Sequence, residues 1–469
     1  MISVRNHRQL LSGNRIFFLL LMMSIMACSA SKSVVNKKDV QIVKSDSDKK
    51  IKRDTIRPED GVIRDDILKN QPKMDTVIWH DISDEKGAVN DKNSRDAHFN
   101  KKDSYRINML IPLNSDEIVD PAASRFVQFY AGALLAFEEL KQEGVSLNVR
   151  VIDTDEGSYQ LERHLDELTS DSIDMIIGPF DRDQLRTLAE KCNEKQVYLV
   201  SPWQTSSKLT QQNPYYIQMK PNLREHFNKI VQYSLTNYKQ GEVVLVGQNS
   251  GETKAWFQYF QDEAQLINKN KKEFFGSYFV NLDSLKKGPT AFYNLFKGKN
   301  VKAIILPNYS FQDENFVYSC LRRLAAEKGN KTFSVIGMPL LFDSDKVEFE
   351  FYHALQIKVA ISDFVDKNEE KIKVFRRTFL DKYGEIPTTD AIRGYDLIMY
   401  MGRNLYHYGK EFAKYLSRES TSYLQSTYDI QRAYIDVDKM MDDPEHFDYY
   451  ENKYLDIIGF KGDKWVKMD

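Results

Sequence analysis

The chain has 469 residues, 42% of them hydrophobic, with 66 Lys and Arg set against 68 Asp and Glu. That length supplies two or three ordinary domains with real cores. A formal charge of −2 and no basic stripe leave no electrostatic ground for a nucleic-acid partner. At the N-terminus "MISVRNHRQLLSGNR" carries positive charge, and "IFFLLLMMSIM" is an apolar run of signal-peptide length, too short to span a bilayer comfortably. Residues 1–27 therefore read as a leader.

The run ends in "SIMACSA". Small Ala27 before Cys28, with Ile25 three positions upstream, resembles the bacterial lipobox. That resemblance implies that Cys28 is lipidated and becomes the mature N-terminus; a plain secretory signal that happens to hold a cysteine is the other reading. A diacylated, N-acylated cysteine anchors stably to a membrane. No acidic run follows Cys28, so the expected placement faces the periplasm. Residues 28–104 are rich in Lys, Asp, Ser and Asn. Such a segment buries too little apolar surface to offset its ordering entropy and reads as a flexible tether, with a reach of about 50 Å if it behaves as a coil. "MDTVIWH" (74–80) is the exception, a short strand or docking segment.

From Tyr105 the pattern changes. "YRINMLIPL" has strand length. The next segment opens at Asp120-Pro121, keeps helical spacing through Phe126, Tyr130, Ala133, Leu134, Phe137 and Leu140, and closes at Gly144. Strand "LNVRVIDT", helix "YQLERHLDELT", strand "DMIIGP", helix "DRDQLRTLAEKCNEK" and strand "VYLVSP" follow. Continuous apolar strands alternating with helices predict a parallel sheet covered on both faces. After "YYIQMKPN" (215–222) the alternation restarts with "EVVLVGQ", a helix through Trp256, Phe257 and Phe260, "FFGSYFV", a helix near 289–298, "KAIILPN", "ENFVYSCLRRLAAEKG" and "FSVIGMP". "ALQIKVAIS" predicts another strand, "EEKIKVFRRTFLDKYG" and "AIRGYDLIMYMGRNLYHYG" two helices, and "YLDIIGFKGDKW" a closing hairpin. "DIQRAYIDVDKMMDDPEHFDYYE" is acidic without the glycine turn of a calcium loop and reads as an exposed charged face. Cys192 and Cys320 lie on apolar spacings and read as buried small hydrophobes, neither metal ligands nor catalytic thiols.

The phrases "INMLIPL", "YAGALLAFEELKQEG" with its small Gly132, "VRVIDT", "IIGPF…VYLVSPWQT", "YYIQMKPN" and "FLDKYGEIPTTDAIRGYDLIMYMGRNL", in this order, resemble the type I periplasmic solute-binding proteins of the leucine/isoleucine/valine-binding kind. The resemblance implies an α/β chain of two Rossmann-like lobes joined by three crossings, with a ligand cleft at the carboxyl ends of the strands. Lobe one would take 105–218 plus 362–430, and lobe two 222–357 plus 431–469. "YYIQMKPN" would be the first crossing. The family includes substrate-binding components of ABC transporters. The same fold also serves receptor ectodomains and lipoproteins that contact cell-wall enzymes, so function has to come from the site.

In amino-acid-binding relatives the turn after the third strand holds the ligand carboxylate at a helix N-terminus. Aligned on Ser201-Pro202, Asp183 takes the place of a carboxylate-holding Ser there, just after Phe180, Asp181 and Arg182. Two acids at that turn repel an anionic group, and Asp181 reads as an N-cap. Asp183 is left open: a cationic ligand, a pair with Arg182 or Arg186, or the helix dipole. The second loop offers Trp203, Gln204 and Thr205, with Trp203 either a stacking platform or a filler of the cleft. Arg125, seven residues before Gly132, can pair with Asp183 across the cleft mouth or receive a ligand carboxylate bidentately. Lobe two contributes Gln248, Asn249, Asn308, Tyr309 and Met338 by position alone, each also readable as a turn residue. No GxGxxG, Walker loop, HExxH or GxSxG motif occurs, and no residue pattern suggests a metal or cofactor. The expectation is a non-enzymatic, membrane-anchored lipoprotein that closes on a small polar molecule other than a simple branched-chain amino acid. The alternative is an interaction lipoprotein that regulates a cell-envelope enzyme of peptidoglycan synthesis.

Overall fold

A computed structural model describes residues 101–114, 124–154, 160–269, 272–287, 290–298, 300–418, 420–435 and 446–468. The leader, Cys28, "MDTVIWH", Asp120-Pro121 and nearly all of the tether lie outside them.

The apolar strands build two seven-stranded sheets. The first holds β1 (Tyr105–Ile111), β2 (Leu147–Asp153), β3 (Met175–Ile177), β4 (Tyr198–Ser201) and β5 (Tyr216–Gln218). The second holds β6 (Val243–Gly247), β7 (Gly276–Phe279), β8 (Ala303–Leu306), β9 (Ser334–Gly337) and β10 (Lys358–Ile361). These ten strands run parallel within their sheets, in the orders β5-β4-β3-β1-β2 and β10-β9-β8-β6-β7. The inner strands of each sheet are buried on both faces, as parallel sheets require, while the edge strands β2 and β7 expose alternate residues. Ile107, Met109 and Ile111 enter one core of the first sheet, and Leu110 of the same strand enters the core on the opposite face. Val244 and Val246 divide from Val243 and Leu245 in the same way in the second sheet. The strand-length runs carried this information, and the structure agrees with it.

Beyond a small two-stranded sheet, β11 (Thr421–Ser422) with β12 (Thr427–Tyr428), the C-terminal region departs from expectation. β13 (Ile430–Ala433) and β14 (Tyr449–Asn452) belong to the first sheet, where β14 lies parallel to β5 and antiparallel to β13. The assignment of all of 431–469 to lobe two is thereby corrected. Only the hairpin β15 (Asp456–Lys461) and β16 (Lys464–Lys467) joins the second sheet, antiparallel to β10. The reading of the acidic stretch as an exposed charged face is corrected at its two ends. Tyr449, Tyr450, Glu451 and Asn452 are all buried, Glu451 because donors surround its carboxyl. The chain thus passes between the sheets three times, at 219–222, 362–369 and 453–455.

The first lobe is closed by two long helices from distant parts of the chain, α1 (Ser124–Gln142) and, after the second crossing, the helix Thr389–Tyr408. They pack so closely that glycine is required at two reciprocal points. A Cβ at Gly132 would lie 1.8 Å from the Ala391 carbonyl oxygen, and one at Gly394 would lie 2.0 Å from that of Phe129. Backbone cannot yield there as a side-chain tip can. Gly132→Ala and Gly394→Ala are each expected to destabilise the protein by about 1–3 kcal/mol. Gly251→Ala, where a Cβ meets open space, serves as control, and urea midpoints of the three variants measure the difference.

Candidate functional site

The carboxyl end of β3 runs into Gly178, whose φ is +83° and whose peptide bond to Pro179 is cis. A Cβ at Gly178 would lie 2.1 Å from the Leu110 carbonyl oxygen, so the turn hugs the end of β1. Helix α2 (Arg182–Lys195) begins just beyond. Its free N–H groups are taken by Asp181, which accepts from the amides of Asp183 at 3.0 Å and Gln184 at 2.9 Å. The cap expected of Asp181 is present. Asp183 is exposed and pairs with Arg186 at 2.9 Å, one turn along the same helix.

Across this turn the second loop is drawn in. Gln204 Nε2 donates to the Phe180 carbonyl at 3.0 Å and locks the two loops together. The Trp203 ring is half-buried against lobe one. It sits edge-on to Phe126 at 5.4 Å and to Phe180 at 5.9 Å, and tilted to Phe129 at 5.0 Å between centroids. Of the two readings for Trp203, packing is the one observed. Arg125 is exposed, with its guanidinium over the Phe126 ring at 4.9 Å and over the Phe180 ring at 5.1 Å. The ion pair with Asp183 is corrected: rings hold Arg125 from below, and Arg186 holds Asp183. Ser201 is fully buried, and Thr205 is exposed.

Lobe two presents less. Asn249 is exposed in the turn after β6, and its neighbour Ser250 caps the helix Gly251–Asn268 by accepting from Thr253 N–H at 3.1 Å. Asn308 is buried and donates to Asp313 at 3.1 Å, while the Tyr309 ring lies 5.7 Å from that of Trp256. Met338 is core. Asn249 and Asn308 both lie just past the carboxyl ends of their strands, β6 and β8.

A cluster of paired charges ties the first two crossings to the helix Thr389–Tyr408, and single-sequence reading missed it. Lys220 of the first crossing pairs with Asp363 of the second. Asp363 also accepts from Arg393 Nη2 at 2.9 Å and Nε at 3.3 Å, and Arg393 pairs in turn with Asp390. Burial works to raise the Asp363 carboxyl, but the Lys220 and Arg393 charges outweigh it and hold the group well below the usual carboxylate range. Burial, reinforced by the Arg393 charge, lowers the Lys220 ammonium. Beside them His226 is buried, with Nδ1 3.1 Å from the Ala360 carbonyl oxygen, the geometry of a neutral ring donating from Nδ1. Burial brings His226 down to about 4, against the pull of that carbonyl. Lys220 stood in plain view in "YYIQMKPN" and Arg393 in "AIRGYD". What was hidden was the partner, Asp363, 143 residues along the chain from Lys220.

Two α/β lobes joined by three crossings, with loops at the carboxyl ends of their parallel strands, have the architecture of the type I periplasmic binding fold. The periplasmic binding protein family model matches residues 118–414, and the chain belongs to that family. The fold is similar to that of a branched chain amino acid ABC transporter periplasmic ligand-binding protein of Burkholderia xenovorans, at 14% identity and a TM-score of 0.52, over 78% of this chain and 94% of that one. It is also similar to an ABC transporter substrate-binding protein of Desulfitobacterium hafniense, at 16% identity and a TM-score of 0.51, over 78% and 100%. Full-length LpoA of Haemophilus influenzae aligns at 12% identity and a TM-score of 0.51, over 79% of this chain and 60% of LpoA. No protein with a curated description matches. Among the described residues no helix is long and apolar enough to cross a membrane, and no group of three or more His, Cys, Asp or Glu is disposed to hold a metal.

His226 gives the hinge a pH dependence of definite sign. Its imidazole is neutral in the folded chain down to about pH 4, whereas an unfolded imidazole takes up a proton near 6.5. The unfolded state therefore binds more protons between those values. The stability contribution of His226 is whole above 6.5 and is lost as pH falls toward 4, by up to about 3 kcal/mol. Urea unfolding from pH 7.5 to 4 should show a steeper loss for the native chain than for His226→Gln.

Proposed function

We propose that the chain is a non-enzymatic binding protein of the bacterial envelope, anchored through a lipid on Cys28, that receives a small polar ligand between its lobes. The observation that carries this reading is the pairing of an occupied helix N-terminus with a cation on an aromatic shelf. Asp181 fills the amides that would otherwise take a ligand carboxylate. Arg125, lying over Phe126 and Phe180, is the group left to meet an anionic or acceptor-rich ligand at the mouth of lobe one. That arrangement argues against a simple branched-chain amino acid held at the β3 turn. Phe180, Gln204 and Thr205 would line the same wall, with Asn249 and the Asn308 loop facing from lobe two. Asp183, engaged by Arg186, and buried Ser201 serve the wall's shape.

A second reading is an interaction lipoprotein that regulates a cell-envelope enzyme of peptidoglycan synthesis. The packing of Trp203 favours it, since the ring is engaged by Phe126, Phe129 and Phe180, and the fold likeness to LpoA is compatible with it.

Thermal unfolding of the purified protein with amino acids, nucleosides, sugars and muropeptides separates the two. A true ligand at 100 times its Kd should add about 2.7 kcal/mol of stability. Arg125→Ala should weaken its binding by about 10–100-fold while leaving the unliganded melting temperature unchanged. Flat curves across the panel, identical in the Arg125→Ala variant, would sink the small-ligand reading and leave the interaction reading standing.

A further inference from the structure

Glu451 takes no part in the cleft chemistry described above. It is on β14, two residues before the third crossing, and its side chain is 1% exposed. Its Oε1 accepts from the Asn222 backbone N–H at 2.8 Å and from Gln218 Nε2 at 3.2 Å. Its Oε2 accepts from Asn222 Nδ2 at 3.1 Å. Asn222 ends the first crossing and is the N-cap of the helix Leu223–Asn237, the first helix of lobe two, where its Oδ1 accepts from Glu225 N–H at 3.1 Å. Gln218 ends β5 in lobe one and also donates to the Lys220 carbonyl at 3.0 Å. A single carboxyl on β14 thus joins β5 of lobe one, the first crossing and the opening turn of lobe two.

We propose that Glu451 is a proton-operated pin of the interlobe hinge: ionised, it fastens the first crossing to β14, and protonated, it releases the cap of lobe two's first helix. The mechanism is one of hydrogen-bond capacity. A carboxylate accepts all three N–H groups at once. A proton on Oε2, the oxygen with a single donor, removes the bond from Asn222 Nδ2. Alternatively the Asn222 amide turns over to accept that O–H, and the cap on Glu225 N–H is lost. Either way the start of the Leu223–Asn237 helix loses one constraint, and the lobes gain freedom about the first crossing.

The charged and titratable neighbours come from each element packed around it. Lys453 stands at the head of the third crossing, paired with Glu225 at 3.1 Å. Arg224 and Glu225 lie on the first turn of the lobe-two helix, Tyr216 on β5, and Tyr449 on β14 itself. Burial pushes Glu451 up to about 8, and Glu225 adds to the rise, while Lys453, the Asn222 amide and Arg224 pull down. The two states therefore exchange near neutral to mildly alkaline pH.

The test reads interlobe distance. Donor and acceptor dyes at Glu190→Cys and Lys331→Cys, both exposed and on different lobes, are placed in the full chain. Cys28→Ala is included so that buried Cys192 and Cys320 are the only other thiols. Without any added ligand, the distance distribution should narrow as pH rises from 6 to 9.5, with a midpoint near 8. Glu451→Gln should show no such transition. Lys453→Met should move the midpoint upward and Glu225→Gln downward. A distribution that does not change with pH, or a Glu451→Gln variant that follows the native curve, would overturn the proposal. Should Glu451→Gln fail to fold by circular dichroism, the opposite shifts of the Lys453 and Glu225 variants decide it, and midpoints unmoved by either would refute it. Because no ligand is present, failure here is separate from failure of the binding reading.

Discussion

The constraint on which the rest depends is the need to run three polar crossings side by side through the narrow junction between two cores. Backbone and charge in such a place lose water and must find partners within the protein. The chain answers with an alternating cluster, Lys220, Asp363, Arg393 and Asp390, each contacting its opposite. An ion pair taken out of water gains little net stability over an apolar substitute, but removing one partner is severe because the other charge is stranded. The cluster therefore fixes how the crossings register against one another more than it adds to stability. Both sheets inherit their placement from that register, and so do the loops at their carboxyl ends.

Those loops follow a second economy of partners. A helix N-terminus at a strand end is a ready anion site, and here the protein has closed it with its own carboxylate, Asp181. The neighbouring loop is then tied down by Gln204 and weighted by Trp203, whose ring meets three phenylalanines. Beside that closed turn the exposed positive group is a side chain, Arg125, supported from beneath by two of the same rings, and it is the receiver that the proposed reading would use. A guanidinium is a larger and more adaptable receiver than a pair of amides and tolerates a wider range of acceptor geometries.

Sequence made the alternation of strands and helices legible because buried parallel strands are written as unbroken apolar runs. Asp181 was legible as a cap because capping is local. The features that escaped are non-local. β13 and β14 were hidden because "QRA" and "YYEN" carry charge that only the fold neutralises: Glu451 is acceptable in a core because Asn222, 229 residues away in the chain, supplies two donors and Gln218 a third. Among the partners open to Asp183, the one observed is a local one, Arg186, three residues along the same helix. Periodicity reports on burial, and a polar residue that is buried by virtue of its partners leaves no trace in it.

The close contact of Gly132 with Ala391 and of Gly394 with Phe129 has a consequence for how the molecule is made. The two helices that meet there are separated by strands β6 to β10 of lobe two, and β14 is added to lobe one later still. A ribosome that has delivered every strand up to β5 has produced an apolar sheet with one face lacking its largest cover and one edge lacking its neighbour. Lobe two, from β6 to β10, is continuous apart from its closing hairpin and can condense in the meantime. Lobe one, whose strands β1–β5 precede those of lobe two, thus waits for its cover across the whole of β6 to β10, and its unsealed face must be kept from other chains until residue 408 has emerged.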